Sequence, residues 1–237
     1  MYGDLKEDKP SYVRRMFAAI AGRYDLMNRL MTGGRDEGWR RTVVRELGLR
    51  TGAAVIDVAT GTGDIAREVA RTVPGSRVEA VDFCAEMMLA GRHKFVEGDL
   101  AERVTFVCGD ALALPYPDDT FDGATTGFAL RNVASIPAAL SEMRRVLKPG
   151  GRMVCLEISR PSRPVISHVY WWYFFKVVPM LGGRISGQRE AYSYLPKSAQ
   201  AFLTARQLAT EMEAAGFHQV RYRLLLLGAA AIHVGTK

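Results

Sequence analysis

Three acidic residues stand where short apolar runs end, and each precedes or follows a turn. Asp57 lies at the end of Ala53–Val58 and leads into Val58-Ala59-Thr60-Gly61-Thr62-Gly63. Asp82 closes Arg77–Val81, and Asp110-Ala111 follows Val104–Cys108. Gly61 and Gly63 let the chain turn sharply and approach a ligand with no Cβ in the way. Asp82 stands nineteen residues beyond Gly63, where a carboxylate can accept from both hydroxyls of a ribose. Asp110 is suited to the exocyclic amine of an adenine. The chemistry these residues point to is nucleoside binding, with Thr126-Gly127-Phe128 forming a fourth such end.

Two ligands and a bare turn compete for this pattern. Gly61-Thr62-Gly63-Asp64-Ile65-Ala66 satisfies the dinucleotide fingerprint, with Ala in the third small position. Against a dinucleotide, Asp64 opens the following helix, where a pyrophosphate wants an uncovered positive helix N-terminus. An acidic crown of Asp64, Asp82 and Asp110 suits a cationic sulfonium nucleoside without phosphate. A tight strand–helix turn with no ligand is the bland alternative.

These residues need a frame to hold them. From about Thr51 the chain reads strand, helix, strand, helix, with strands at Ala53–Val58, Arg77–Val81, Val104–Cys108, Phe121–Thr126 and Arg152–Ile158. Helices are expected at Asp64–Thr72, Ala85–Val96 and Ile136–Leu147, with Lys148-Pro149-Gly150-Gly151 stopping the last one. Near-continuous apolar strands alternating with helices mean a parallel sheet covered on both faces. A helix at Gln207–Ala215 then leads to strands at Gln219–Leu225 and Ala229–Thr236. The few residues between those two strands leave no room for a crossover, so they should pair antiparallel. The expected fold is α/β: a mostly parallel seven-stranded sheet, helices on both faces, and a C-terminal antiparallel hairpin. Residues 1–50 read as a helical lid or extension and 51–237 as the ligand-binding domain, one structural domain overall.

Composition bounds the answer further. At 237 residues with 48% hydrophobic and 24% charged, the chain can build a full core without staples. Cys84, Cys108 and Cys155 are odd in number and widely spaced, and no CxxC or HExxH cluster occurs. Neither a disulfide framework nor a metal site is expected. The polar start MYGDLKEDKP lacks a signal-peptide core, so a cytoplasmic location is expected. The net charge of +7 has one dense basic stretch, Arg35–Arg50, where Trp39, Val43, Val44 and Leu47 interleave with charges. That is an amphipathic helix rather than a nucleic-acid groove, and no nucleic-acid partner is expected. The same charge fits attraction to an anionic membrane surface.

The ordered runs DVATGTGDIA, VDFCAEMM, GDALALPYPDDTFD and RRVLKPGGRMVCLE resemble the motifs of Rossmann-like class I S-adenosylmethionine-dependent methyltransferases. FAAIAGRYDLMNRLMTGGRDEGWRR (17–41), TTGFALRNV (125–133) and YSYLPKSAQAF (192–202) are similar to the menaquinone/ubiquinone C-methyltransferase family. That likeness runs from about residue 13 to the end. It implies transfer of a methyl group from S-adenosylmethionine to a ring carbon of a polyprenylated quinol. It places Thr62 at the cofactor's amino-acid end, Asp82 on the ribose, Asp110-Ala111 at the adenine and Gly127 near the sulfonium. Asp57, Gly61, Gly63 and Phe83 complete the implied cofactor set. Thr60 stands where the family often has a second glycine, and Asp110-Ala111 where it often has Asn-Ala.

The resemblance also makes Arg131 and Asn132 the catalytic candidates. A ring carbon becomes nucleophilic when the neighbouring hydroxyl loses its proton, and Arg131 could stabilise that phenolate or polarise a water. Arg131 is itself no base, because it keeps its proton at neutral pH; its bland alternative is a surface ion pair. Tyr24, Asp25 and Asn28 would meet the quinol from a lid, with a helix cap and a packed tyrosine as the alternative. Tyr192 and Tyr194 divide in the same way between substrate wall and core. His233, alone in an apolar strand, reads as a structural residue. Val169–Leu181 carries six aromatics in a row, Tyr170 to Phe175. It is too short to cross a bilayer, which takes about 20 residues, and reads either as core or as a greasy mouth touching the inner face of the membrane peripherally. A homodimer is one assembly the sequence allows.

Overall fold

Neighbouring residues of the same strand are buried on opposite faces of one sheet, Val55 and Val154 in one core, Ile56 and Cys155 in another. That is the period of two expected of strands covered on both sides. The structure, a computed structural model, describes residues 8–161 and 164–237. Its strands are β1 (Ala54–Val58), β2 (Arg77–Asp82), β3 (Val104–Cys108), β4 (Phe121–Gly127), β5 (Leu147–Ile158), β6 (His218–Leu225) and β7 (Ala230–Thr236). They form one sheet in the order β3-β2-β1-β4-β5-β7-β6. The first five are parallel, and β7 runs antiparallel to both β5 and β6. The seven strands and the closing hairpin are those expected from sequence.

The helices are α1 (Lys9–Ile20), α2 (Tyr24–Thr32), α3 (Asp36–Leu47), α4 (Asp64–Thr72), α5 (Ala85–Gly91), α6 (Leu100–Arg103), α7 (Ile136–Val146), α8 (Pro164–Trp172), α9 (Val178–Ser186), α10 (Arg189–Ala201) and α11 (Ala205–Ala214). α3 and α4 cover one face through Val43, Leu47, Ile65 and Val69. α7 and α11 cover the other through Leu140, Met143, Leu208 and Met212. A third apolar cluster joins α1, α2, α9 and α10 through Val13, Met27, Val178 and Tyr192. α3 thus belongs to the sheet's own core, while α1 and α2 pack with the later helices.

Two expected boundaries shift for physical reasons. The helix from Ala85 stops at Gly91 and tightens into a 3-10 turn, Arg92–Phe95. A Cβ at Gly91 would lie 2.1 Å from the Thr62 carbonyl oxygen, so the glycine-rich loop closes directly onto this helix. β5 begins at Leu147 rather than Arg152, because Leu147 pairs with Phe121 across a register shift. The Lys148–Gly151 stretch, expected as a turn, is absorbed into the strand there. Within 169–181, Pro179 has no N–H to offer the carbonyl four residues back, and Tyr173–Val177 takes a π-helical turn instead.

Candidate active site

Strand order reverses between β1 and β4, the place where open α/β sheets hold ligands beyond their carboxyl ends. A cavity opens there. Asp82 and Phe83 reach it from β2, Asp110 and Ala111 from the end of β3, and Gly61 and Gly127 from the ends of β1 and β4. Phe17 of α1 and Tyr24 of α2 close it from above. Among the described residues that line it are two carboxylates and no Lys, Arg or His. A pyrophosphate would meet only repulsion here. A cationic nucleoside without phosphate fits.

The turns around this cavity are held by backbone conformations that cost energy. Gly61 has φ +59°, as expected of the glycine-rich loop, and Ala59 (φ 55°) and Phe128 (φ 56°) are left-handed without being glycine. Each non-glycine residue there costs roughly 1–2 kcal/mol, and both line the cavity. Asp82 fastens the loop in place. Its Oδ2 accepts from the Gly61 N–H at 2.7 Å and its Oδ1 from the Cys84 N–H at 2.8 Å. Each oxygen keeps lone-pair capacity for a ligand hydroxyl. Burial pushes the Asp82 carboxyl up, with those backbone N–H groups opposing. Asp110 keeps one oxygen on the Leu112 N–H at 2.9 Å.

Asp57 serves the loop from below. It is buried, and accepts from Thr125 Oγ1 at 2.7 Å and Thr60 Oγ1 at 2.5 Å. Burial raises its pKa to about 6. Gly63, with φ +81°, sits behind the cavity, where a Cβ would strike Phe95 at 2.8 Å.

A second, apolar cavity of about 720 Å³ adjoins the first. Asn28, Arg131, Tyr170 and Tyr173 line it, and Tyr24 and Phe128 line both cavities. Burial raises the Tyr24 phenol, opposed by its hydrogen bond with Asn28 and by the charge of Arg131. Arg131 is not a surface residue: its side chain is 6% exposed and its Nη1 lies 2.8 Å from Glu157 Oε1, at the end of β5. The same Nη1 donates to the Phe128 carbonyl. Glu157 is 1% exposed; burial raises its carboxyl and Arg131 opposes the shift. Asn132 lines the first cavity and accepts from the Tyr194 hydroxyl at 3.2 Å.

The other candidates fall elsewhere. Asp25 and Thr62 do not line either cavity; they meet each other, Thr62 Oγ1 donating to Asp25 Oδ1 at 2.6 Å. Lys94 Nζ reaches Asp25, Asp64 and Thr62 at 2.6, 2.5 and 2.9 Å, and Arg40 bridges Asp64 to Asp36 at 2.8 Å each. Asp64 at the start of α4 is therefore neutralised by cations. Tyr192 packs on Gly182 between α9 and α10. His233 is buried, its Nε2–H donating to the Ala205 carbonyl at 2.8 Å, a structural role. In the 169–181 segment, Tyr170, Tyr173 and Phe174 face the second cavity while Val169 and Trp172 are each 59% exposed. Sequence reasoning missed Glu157 and Lys94, and gave Tyr170 only as part of the aromatic segment 169–181. A lone Glu in the buried run Met153–Ile158 was the one signal available for Glu157.

The model of the ubiE/COQ5 methyltransferase family matches residues 3–237. The chain is 46% identical to the demethylmenaquinone methyltransferase of Roseiflexus castenholzii over 98% of its length and 95% of that protein's. It is 42% identical to the ubiquinone/menaquinone biosynthesis C-methyltransferase UbiE of Paracoccus denitrificans, covering 98% and 93%. In fold it is similar to a SAM-dependent methyltransferase from Aquifex aeolicus, with TM-score 0.61 and 21% identity over 90% of this chain and 96% of that one.

Proposed function

The chain belongs to the ubiE/COQ5 methyltransferase family, and from that premise we propose how its two cavities carry out a ring C-methylation. It is an S-adenosylmethionine-dependent C-methyltransferase of quinone biosynthesis. Its substrate in this reading is a polyprenylated quinol, held in the apolar cavity with the reactive ring beside Arg131. The observation that carries the division is the shared wall of Tyr24 and Phe128, which border both cavities. A methyl passing between the two ligands must cross there.

When bound, S-adenosylmethionine supplies an electrophilic methyl on a positively charged sulfur. Asp82 would accept from the ribose hydroxyls, and Asp110 with the Ala111 backbone would hold the adenine. Phe83, Gly61 and Gly127 would shape the wall around it. Asp57, Thr62 and Gly63 act on the loop rather than on the ligand. In the apolar cavity, Arg131 is fixed by Glu157 and the Phe128 carbonyl, so its charge is preorganised for a developing phenolate and needs no rearrangement to meet it. Asn132 and Tyr194 brace the β4 turn, and Tyr24 with Asn28 closes on the ring. Fixing the ring carbon against the methyl makes the transfer effectively unimolecular.

The prenyl tail has an exit in the same reading. Val165, Val169 and Trp172 are exposed on one face of α8, and Leu226 and Leu227 are exposed at the β6–β7 turn, where Leu226 also lines the apolar cavity. We read this rim as a peripheral contact with the lipid that holds the quinol. Among the described residues no helix is long and apolar enough to cross a membrane.

The test is incubation of the purified chain with methyl-labelled S-adenosylmethionine and a demethylmenaquinol, with the product mapped by mass spectrometry. Label on a ring carbon supports the reading. Label on an oxygen, or none with the cofactor bound, overturns it.

A further inference from the structure

The first turn of α1 reaches the turn that joins β4 to α7 (128–135) by two routes. Lys9 Nζ donates to the Val133 carbonyl at 2.9 Å and to the Arg131 carbonyl at 3.3 Å. Tyr12 stands three residues further on, on the same side of the helix. Its ring meets that of Tyr194 with centroids 5.8 Å apart, and the Tyr194 hydroxyl donates to Asn132 Oδ1 at 3.2 Å. Arg131, Asn132 and Val133 are thus each held from α1, either directly or through α10.

Helix stability does not account for the lysine. Lys9 is the first residue of α1, where Asp8 caps the Ser11 N–H, and the helix dipole opposes a cation at that end. What the ammonium satisfies is a pair of carbonyl oxygens 122 and 124 residues away. Both sides of this contact belong to the ligand sites. Pro10 and Phe17, seven residues and so about two turns apart on α1, line the cofactor cavity, as do Asn132, Val133 and Ala134. Arg131 lines the apolar cavity. Lys9 itself lines neither of the two. Val13, Met16 and Ile20 seat α1 in its own apolar cluster, and Lys9 pins the end beyond them.

Resting on the quinol C-methylation reading, we propose that Lys9 is a positioning residue that couples the two cavities, holding α1 and the backbone of Arg131 as one unit. A cofactor filling the first cavity meets Pro10 and Phe17. The helix that carries them begins at Lys9, whose ammonium grips the carbonyl of Arg131 itself. The cofactor therefore favours the state in which α1 is seated and this turn is held. A quinol ring favours the same state, because Arg131 is then in place to meet it. Two ligands that prefer one state raise each other's affinity by the same factor.

A rival route exists. Tyr24 and Phe128 border both cavities, and contact through that shared wall would couple the ligands without Lys9. The two routes differ in what the loss of one ammonium does.

The experiment is a calorimetric binding cycle on the wild type and Lys9→Met, which keeps an unbranched stem and loses the charge. Its ligands are S-adenosylhomocysteine, which has no methyl to give, and 1-naphthol. Each is titrated alone and then in the presence of the other. In the wild type each should tighten the other by the same factor, about fivefold or more. Lys9→Met should lose most of that factor. If Lys9→Met does not fold, Lys9→Gln, too short to reach both carbonyls, takes its place. A lysine that only supports the fold would weaken each ligand alone and leave the factor as it was. That result, or a wild type in which neither ligand affects the other, overturns the coupling role alone. If 1-naphthol displaces S-adenosylhomocysteine or does not bind, or if the wild type binds the cofactor and methylates no quinol, the functional reading beneath falls and the coupling with it.

Discussion

Lys94 Nζ lies 2.6 Å from Asp25 Oδ2, and this contact ties α2 to the glycine-rich loop. The same ammonium holds Asp64 and Thr62 and is only 10% exposed. One cation thus fixes α2, the loop and the first turn of α4 together. Hydrogen bonds to a charged group of this kind are worth about 1.5–3 kcal/mol each in favourable cases, less here because Asp25 is 38% exposed. Lys94→Met should destabilise the fold by about 2 kcal/mol, which lowers Tm by roughly 4–8 °C for a chain of this size. The Kd for S-adenosylmethionine should rise several-fold, because the loop loses its brace. Differential scanning calorimetry and a binding titration check the two effects, and an unchanged Kd would show that α2 and the loop are independent.

Asp82 is the residue through which the cofactor site is most exposed to test. Its two oxygens hold Gly61 and Cys84 and would also take the ribose hydroxyls, so Asp82→Ala removes both the ligand contact and the loop's anchor. At about 1.5–3 kcal/mol for a hydrogen bond to a charged acceptor, binding of S-adenosylmethionine should weaken by roughly 10–150-fold. Asp82→Asn should fall between the two, since it keeps an acceptor without the charge. Paired isothermal titrations with S-adenosylmethionine and NAD measure this. NAD should give no saturable heat, because the cavity meets a pyrophosphate with Asp82 and Asp110 and no basic side chain.

The carboxyl of Asp57 carries a pH signature. Its folded pKa is raised to about 6 from about 3.9 in an unfolded chain, so the folded state holds the proton more tightly. Its contribution to stability is complete below pH 4 and is lost as the pH rises through about 6, at most about 3 kcal/mol for a shift of two units. Asp57→Asn should remove this slope. Urea unfolding of wild type and variant between pH 4 and 8 should therefore give a difference that changes across that window and is flat above it. A difference independent of pH would mean that Thr60 and Thr125 hold the carboxylate ionised throughout.

Much of this architecture was legible in the sequence because buried parallel strands announce themselves. Ala54–Val58 and Val104–Cys108 are short, mostly apolar runs with Asp57 near the end of the first and Gly109-Asp110 just beyond the second, a pattern that marks a strand leading into a turn. Residues whose role depends on which way a side chain turns were harder. Thr62 sits in the ligand loop, yet its hydroxyl faces Asp25; Asp57 sits at a strand end, yet it points down to Thr125. Position along the chain places such residues near a site without saying which side of the backbone they serve. Ala59 and Phe128 gave no signal at all, since nothing about alanine or phenylalanine marks a left-handed turn. The buried pair of Arg131 and Glu157 joins residues 26 positions apart, and only the β4–β5 register brings them together.

The aromatic segment after residue 164 has two faces, and they make separable predictions. Tyr170, Tyr173 and Phe174 line the apolar cavity, whereas Trp172 and Val169 point away from it with more than half their surface exposed. Burying an aromatic ring at a lipid interface contributes through area removed from water, about 25 cal/mol per Å², so a single tryptophan is worth a few kcal/mol at most. Trp172→Glu should leave Tm and the Kd for S-adenosylmethionine unchanged, since the side chain supports neither core nor cofactor. Sedimentation with liposomes should fall about tenfold or more, and KM should rise for a long-prenyl quinol presented in vesicles. A quinol with a short, water-soluble chain should be methylated as before, because its route to Arg131 does not cross the lipid. Equal losses on both substrates would place Trp172 in the packing of α8, and equal retention on both would leave the exposed rim without a lipid partner.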